Sequence, residues 1–199
     1  VGGKSGPASP GRFVEAGAGI RQGLWQTFGV PDGLPGSVIS GITQDLRGHL
    51  WFGTNRGLSR YDGERFTNYT TEDGLADNLV LGVHSDRRGH IWVGTEDGLS
   101  CYDGERFITF TSQDGLAANW VRAIMEDRRG HLWFGTQNGV SRYDGKYFTT
   151  FDTEDGLVSN QIISLAEDQK GHLWFGSGTL LGDRLVSGLG IGSGVSRYD

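Results

Sequence analysis

Trp51, Trp92, Trp133 and Trp174 stand 41 residues apart, in the segments GHLWFGT, GHIWVGT, GHLWFGT and GHLWFGS. Downstream, three of the units read LSRYDGERF, LSCYDGERF and VSRYDGKYF. The segments leading into each unit read VPDGLPGS, TEDGLADN, SQDGLAAN and TEDGLVSN. Chance cannot produce four units in register over this length. A unit of this size cannot bury its apolar face alone, so it must stack against its neighbours.

Each unit divides into four short strands. The sequence predicts strand A at Val38–Gln44, with counterparts at Leu79–Ser85, Trp120–Glu126 and Gln161–Glu167. Strand B is His49–Thr54, strand C is Leu58–Tyr61 and strand D is Arg65–Tyr69. β-Branched and aromatic residues dominate these runs, as pleated, half-buried surfaces require. Asp62-Gly63, Asp103-Gly104 and Asp144-Gly145 are the signature of a tight C–D hairpin. The excess of glycine, 35 residues, therefore reflects many tight turns rather than low complexity. A period in the low forties with one Trp and four strands is that of a propeller blade. The expected fold is an all-β β-propeller built from four 41-residue, four-stranded blades.

The two ends of the chain bear on each other. In the repeat register Trp25 matches Phe66 and Phe28 matches Tyr69, so residues 23–28 read as a spare strand D. The last unit stops at Ser196-Arg197-Tyr198-Asp199, the end of a strand C. The expectation is that the N-terminal strand completes the last blade. Either the four blades close within one chain, or two chains exchange this strand in an eight-bladed ring. Residues 1–21 read as a flexible lead-in, and 22–199 as the propeller domain.

Composition removes several classes of partner. The net charge of −6, with no basic run, argues against nucleic acid. No stretch is apolar over the roughly 18 residues of a membrane span, so no membrane insertion is expected. A single cysteine, Cys101, permits no internal disulfide.

His49, His90, His131 and His172 recur once per unit, which places each far from its copies. A metal site needs its ligands around one ion at about 2 Å, so these read as turn-and-strand residues. Asp45, Asp86, Asp127 and Asp168 sit in the A–B turns and can accept from turn amides. The Glu72-Asp73 and Glu154-Asp155 pairs precede a repeated Gly and read as turn caps rather than an acid–base pair. No nucleophile elbow is present. No catalytic residue, metal or cofactor is assigned.

Scaffold positions repeat, so the positions that vary between units are the ones open to specificity. The B–C tips vary as Asn55-Arg56, Glu96-Asp97 and Gln137-Asn138. The starts of strand A vary as Val38, Leu79, Trp120 and Gln161, and two residues on as Ser40, Leu81, Arg122 and Ile163. All belong at one end of the blades. Trp120 beside amides and carboxylates suits stacking on a sugar ring. The fourth unit also carries an insertion in its B–C loop, at 178–193, which includes Asp183 and Arg184. It reads either as a lid or partner-binding loop, or as a neutral insertion. Candidate ligand-binding residues are thus Asn55, Arg56, Glu96, Asp97, Trp120, Arg122, Gln137, Asn138, Gln161, Asp183 and Arg184.

The pattern N-x-V-x-x-I-x-x-D-x-x-G-x-L-W-x-G-T-x-x-G-L-x-x-Y-D-G, followed with little departure from Asn119 to Gly145, resembles the two-component regulator propeller repeat. That resemblance covers residues 22–199. It implies a sensor region of a hybrid histidine kinase, outside the cytoplasm or in the periplasm, responding to oligosaccharides or other small ligands. The expected function is a non-enzymatic ligand-sensing or interaction module in signal transduction. The alternatives are a structural, self-assembling propeller fragment and, more remotely, a propeller lyase, since streptogramin lyases use similar repeat lengths.

Overall fold

The computed structural model describes residues 4–5, 12–17, 19–22, 24–178, 180–181, 184–185 and 193–199. They fall into two compact units, Gly3–Thr109 and Phe110–Asp199.

In the first unit four short strands precede the blades: β1 (Lys4–Ser5), β2 (Arg12–Glu15), β3 (Ile20–Gln22) and β4 (Trp25–Thr27). Blade one is β5 (Ile39–Gln44), β6 (Leu50–Thr54), β7 (Gly57–Tyr61) and β8 (Arg65–Tyr69). Blade two is β9 (Val80–Ser85), β10 (Ile91–Thr95), β11 (Leu99–Tyr102) and β12 (Phe107–Phe110). Each is an antiparallel meander in chain order. Segments of the lead-in add to both: β2 pairs with β8, and β1 pairs with β12.

The second unit holds blade three, with β13 (Val121–Glu126), β14 (Leu132–Thr136), β15 (Gly139–Tyr143) and β16 (Phe148–Phe151). Its last sheet comprises β17 (Ile162–Glu167), β18 (Leu173–Ser177) and β21 (Gly194–Tyr198). Between the last two lies a small hairpin, β19 (Leu180–Leu181) with β20 (Arg184–Leu185). The fold is all-β, as the sequence predicts, and strand A begins one residue later than expected in all four blades.

One pairing differs from expectation. Trp25–Thr27 pairs with Ile20–Gln22, and the last sheet has three strands among the described residues. The expected completion of the last blade by this strand is not seen. A hairpin with its own neighbour closes a very short loop, whereas the distant pairing closes almost the whole chain. The repeat register still holds at Phe28, which packs 5.6 Å from Tyr61 and 5.8 Å from Phe66. Tyr69 meets Tyr102 and Phe107 in the same way, as Phe110 meets Tyr143 and Phe148.

The core lies between successive sheets. In the first unit Trp51, Leu58, Tyr69, Val80, Ile91 and Phe107 form one buried cluster. In the second, Trp133, Val140, Ile162, Leu173 and Phe175 form its counterpart. Trp51 stacks on Tyr69 at 5.7 Å and Trp133 on Phe151 at 5.8 Å.

The A–B turn locks that Trp in place. Asp127 Oδ1 accepts from the Arg129 and His131 amides, while Oδ2 accepts from Trp133 Nε1 at 2.8 Å and lies 3.2 Å from His131 Nδ1. The same four contacts recur at Asp45, Asp86 and Asp168. Burial opposes ionisation of Asp127, but the hydrogen bonds from Trp133 and His131 outweigh it and hold the carboxyl below its ordinary value.

Candidate functional site

Antiparallel meanders put the A–B and C–D turns at one end of a blade and the B–C tips at the other. Each tip is closed by a hydroxyl. Thr54 Oγ1 donates to the Gly57 carbonyl at 2.8 Å, Thr95 to Gly98 at 2.8 Å and Thr136 to Gly139 at 2.9 Å. In the last blade Ser177 Oγ donates to Gly194 at 3.1 Å. The clasp is therefore kept between Ser177 and Gly194, on either side of the insertion. Asp183 lies outside the described residues, and Arg184 is placed only as a β20 residue paired with Leu181.

The tips are held against the starts of strand A. The Asn55 amide donates to the Val38 carbonyl and, in return, Asn55 Oδ1 accepts from the Val38 amide, both at 3.3 Å. In blade three the Gln137 amide donates to the Trp120 carbonyl at 3.2 Å, and Gly139 donates to Asn160 of the next blade at 2.7 Å. Trp120, Gln137, Asn138 and Gln161 are thereby brought together within the second unit. Gln137 and Asn138 are exposed, and Trp120 and Gln161 are half-buried. In the first unit Arg56, Glu96 and Asp97 are exposed and Asn55 is half-buried.

Arg122 has a feature that residue spacing did not show. The β13–β14 register passes from Val121 to Ala123, so Arg122 is an extra, bulged residue, exposed at the strand start. The register shifts at the same place in the other three strands A, leaving Ser40, Leu81 and Ile163 as bulges. Bulges re-aim a side chain without breaking the ladder and are common beside functional sites. The variable position two residues into strand A is thus the one the backbone frees from pairing. Its only trace in the sequence is the small residue that follows, Gly41, Gly82, Ala123 or Ser164.

The repeated polar residues do something else. The four repeated histidines, His49, His90, His131 and His172, each lie against an A–B turn carboxylate, at 2.9–3.2 Å. Asp73 and Asp114 each accept from the backbone and hydroxyl of the Thr three residues back, as turn caps. Among the described residues no cluster of His, Cys, Asp or Glu is placed to hold a metal ion. No helix among them is long and apolar enough to cross a membrane.

The two component regulator propeller family matches residues 74–97, 115–138 and 156–179. All three segments carry the repeat's match at the same place in the blade. Each match runs from the Gly of the inter-blade turn, through strands A and B, to the B–C tip. The chain resembles the extracellular domain of a hybrid two-component system from B. thetaiotaomicron, at 27% identity and a TM-score of 0.70, over 77% of this chain and 22% of that one. A second such extracellular domain from the same organism is 21% identical, with a TM-score of 0.64, over 85% of this chain and 25% of that one. This chain thus spans about a quarter or less of the length of these sensor domains. Virginiamycin B lyase from Staphylococcus aureus shares the fold at 15% identity and a TM-score of 0.57, over 82% of this chain and 52% of that one. No curated protein sequence matches significantly.

Proposed function

We propose that this chain is a propeller portion of a non-enzymatic sensing module, outside the cytoplasm, that binds a small molecule or oligosaccharide through its B–C tips and strand-A bulges. The observation that carries this reading is the grouping of Trp120, Gln137, Asn138 and Gln161 at the end where the two component regulator propeller repeats vary. An indole face beside amide donors and acceptors suits a sugar ring and its hydroxyls. The likeness to extracellular domains of two-component systems supports the sensing role and the location. The histidines and turn aspartates are engaged in turn closure, which favours binding over catalysis; the lyase likeness supports the fold alone.

Titration of the chain with a panel of oligosaccharides, read by tryptophan fluorescence, tests the proposal. At least one should bind, and Trp120→Ala should weaken it at least about tenfold, or 1.4 kcal/mol. Binding that is indifferent to Trp120→Ala, to Gln137→Ala and to removal of residues 179–192 would sink it.

A second reading rests on the outer faces. Trp174 is 38% exposed, where Trp51, Trp92 and Trp133 are 1–3% exposed. Ile42 is 62% exposed, while its counterparts Val83 and Leu165 pack against the inter-blade clusters. Each is one half of an inter-blade contact. A second copy of the chain can supply the other half, which makes self-association the second function proposed here.

A further inference from the structure

The other end of the blades carries a second candidate, independent of the sensing proposal. Between blades one and two, beneath the A–B and C–D turns, lies a cavity of about 220 Å³. Arg47, Arg60 and Arg88 line it, with Trp51 and Tyr102 as walls and Asp45 and Asp103 among the lining. The Arg60 guanidinium lies 5.9 Å over the Trp51 ring, and its buried Nε has no hydrogen-bond partner. Arg47 and Arg88 are anchored at the rim by their amides, which donate to Asp45 and Asp86. Among the described residues none of the three guanidiniums pairs with a carboxylate.

The two acids in the lining are already occupied. Asp45 Oδ1 accepts from two amides, and its Oδ2 accepts from Trp51 and lies against His49. Asp103 Oδ1 accepts from the Glu105 and Arg106 amides, and its Oδ2 faces Arg106 Nε at 3.4 Å. Three arginines therefore line a cavity whose two carboxylates already hold hydrogen-bond partners.

The equivalent niche in the second unit serves as an internal comparison. Arg142 there lies over Trp133 at 5.9 Å and has the same partnerless Nε, so stacking and orphan nitrogen belong to the scaffold. That niche is only about 80 Å³ and holds Glu167 and Asp199 beside Arg129 and Arg142. Lys170 stands at the position of Arg88 and is not in its lining. The first niche differs by its volume and its third cation.

We propose that the niche between blades one and two binds the oxyanion group of a small ligand, a carboxylate, phosphate or sulfate, on Arg47, Arg60 and Arg88. Guanidinium forks match the geometry of such groups and bind them bidentately. The rings of Trp51 and Tyr102 would contact the remainder of the molecule.

Thermal unfolding of the whole chain with inorganic phosphate, sulfate or glucuronate, against sodium chloride at equal ionic strength, tests this. At least one oxyanion should raise Tm saturably, by on the order of 3 °C beyond chloride. Arg60→Cys, which installs the residue found at the matching position 101, and Arg88→Gln should each abolish the rise. Arg129→Gln, in the smaller niche, should keep it. The Trp51 indole N–H resonance should move on binding while that of Trp120 stays, which separates this site from the sensing face. A response to glucuronate alone assigns an acidic sugar; a response to phosphate or sulfate assigns the inorganic ion or an ester of it. If Arg60→Cys does not fold, the exposed Arg47→Gln and Arg88→Gln carry the test. Equal shifts with chloride, no shift with any of the three, or a shift that survives Arg88→Gln would overturn the proposal.

Discussion

A single carboxylate organises each blade. Asp127 has a 7% exposed side chain and receives an indole N–H, two amides and the imidazole edge. Asp127→Ala leaves the buried Trp133 Nε1 without an acceptor, and a buried donor left so costs about 1–3 kcal/mol. With the amides exposed as well, we expect a loss of about 2–4 kcal/mol by urea denaturation. Asp168→Ala should cost visibly less, because Trp174 is exposed and water can replace the carboxylate. Asp45, Asp86, Asp127 and Asp168 all titrate below the ordinary carboxylate value of 3.8. Such groups stabilise the fold above that value and lose their contribution as pH falls through the lower, folded-state one. Tm should therefore be flat near neutrality and fall steeply below about pH 4, a dependence that Asp127→Asn should shallow. Cys101 is the residue-scale exception, standing where the first and third blades have arginine. Burial, and then the charges of Asp86 and Asp103, push its thiol well up. It should react with a disulfide reagent only after denaturation.

At the scale of elements, closure of the B–C tip governs the candidate sensing face. Gly139 has φ 112°, and a Cβ there would meet the Phe151 carbonyl oxygen. Gly63, in a C–D turn with φ 106°, would meet nothing within 4 Å. Gly63→Ala should cost only the conformational strain, about 1–2 kcal/mol, and Gly139→Ala more than that. The paired variants can be compared by thermal unfolding. The turns and strands were legible in the sequence because each rests on a local rule: Asp-Gly for a hairpin, β-branched and aromatic residues for a strand. Arg122 as a bulge was not, because a bulge is a relation between two strands. The niche arginines were missed for a similar reason. Arg47, Arg60 and Arg88 come from three elements of two blades, and nothing in their spacing distinguishes them from surface charges.

At the scale of the molecule, the exposed apolar faces of the first and last blades are the features to be explained. Exposed apolar surface that is packed between blades elsewhere in the same chain marks a candidate interaction face. Light scattering after size exclusion should give twice the 21.6 kDa chain mass. Trp174→Ser should return it to one chain mass with little loss of stability. Trp133→Ala, by contrast, should cost about 3–5 kcal/mol, because the same residue type is there fully packed. A single-chain mass in the parent protein would remove self-association from the proposed functions.

What the sequence determined by itself is the blade: its period, its four strands, its turn chemistry and the packing role of its tryptophan. These follow from short-range patterning repeated four times, so each copy corroborates the others. Tertiary structure alone decided where the spare N-terminal strand goes, which side chains bulge from strand A, and that three arginines of two adjacent blades share one cavity. Pairing of strands and convergence of side chains depend on loop closure and on inter-sheet spacing. A repeat pattern carries neither, since every unit presents the same local code whatever lies beside it.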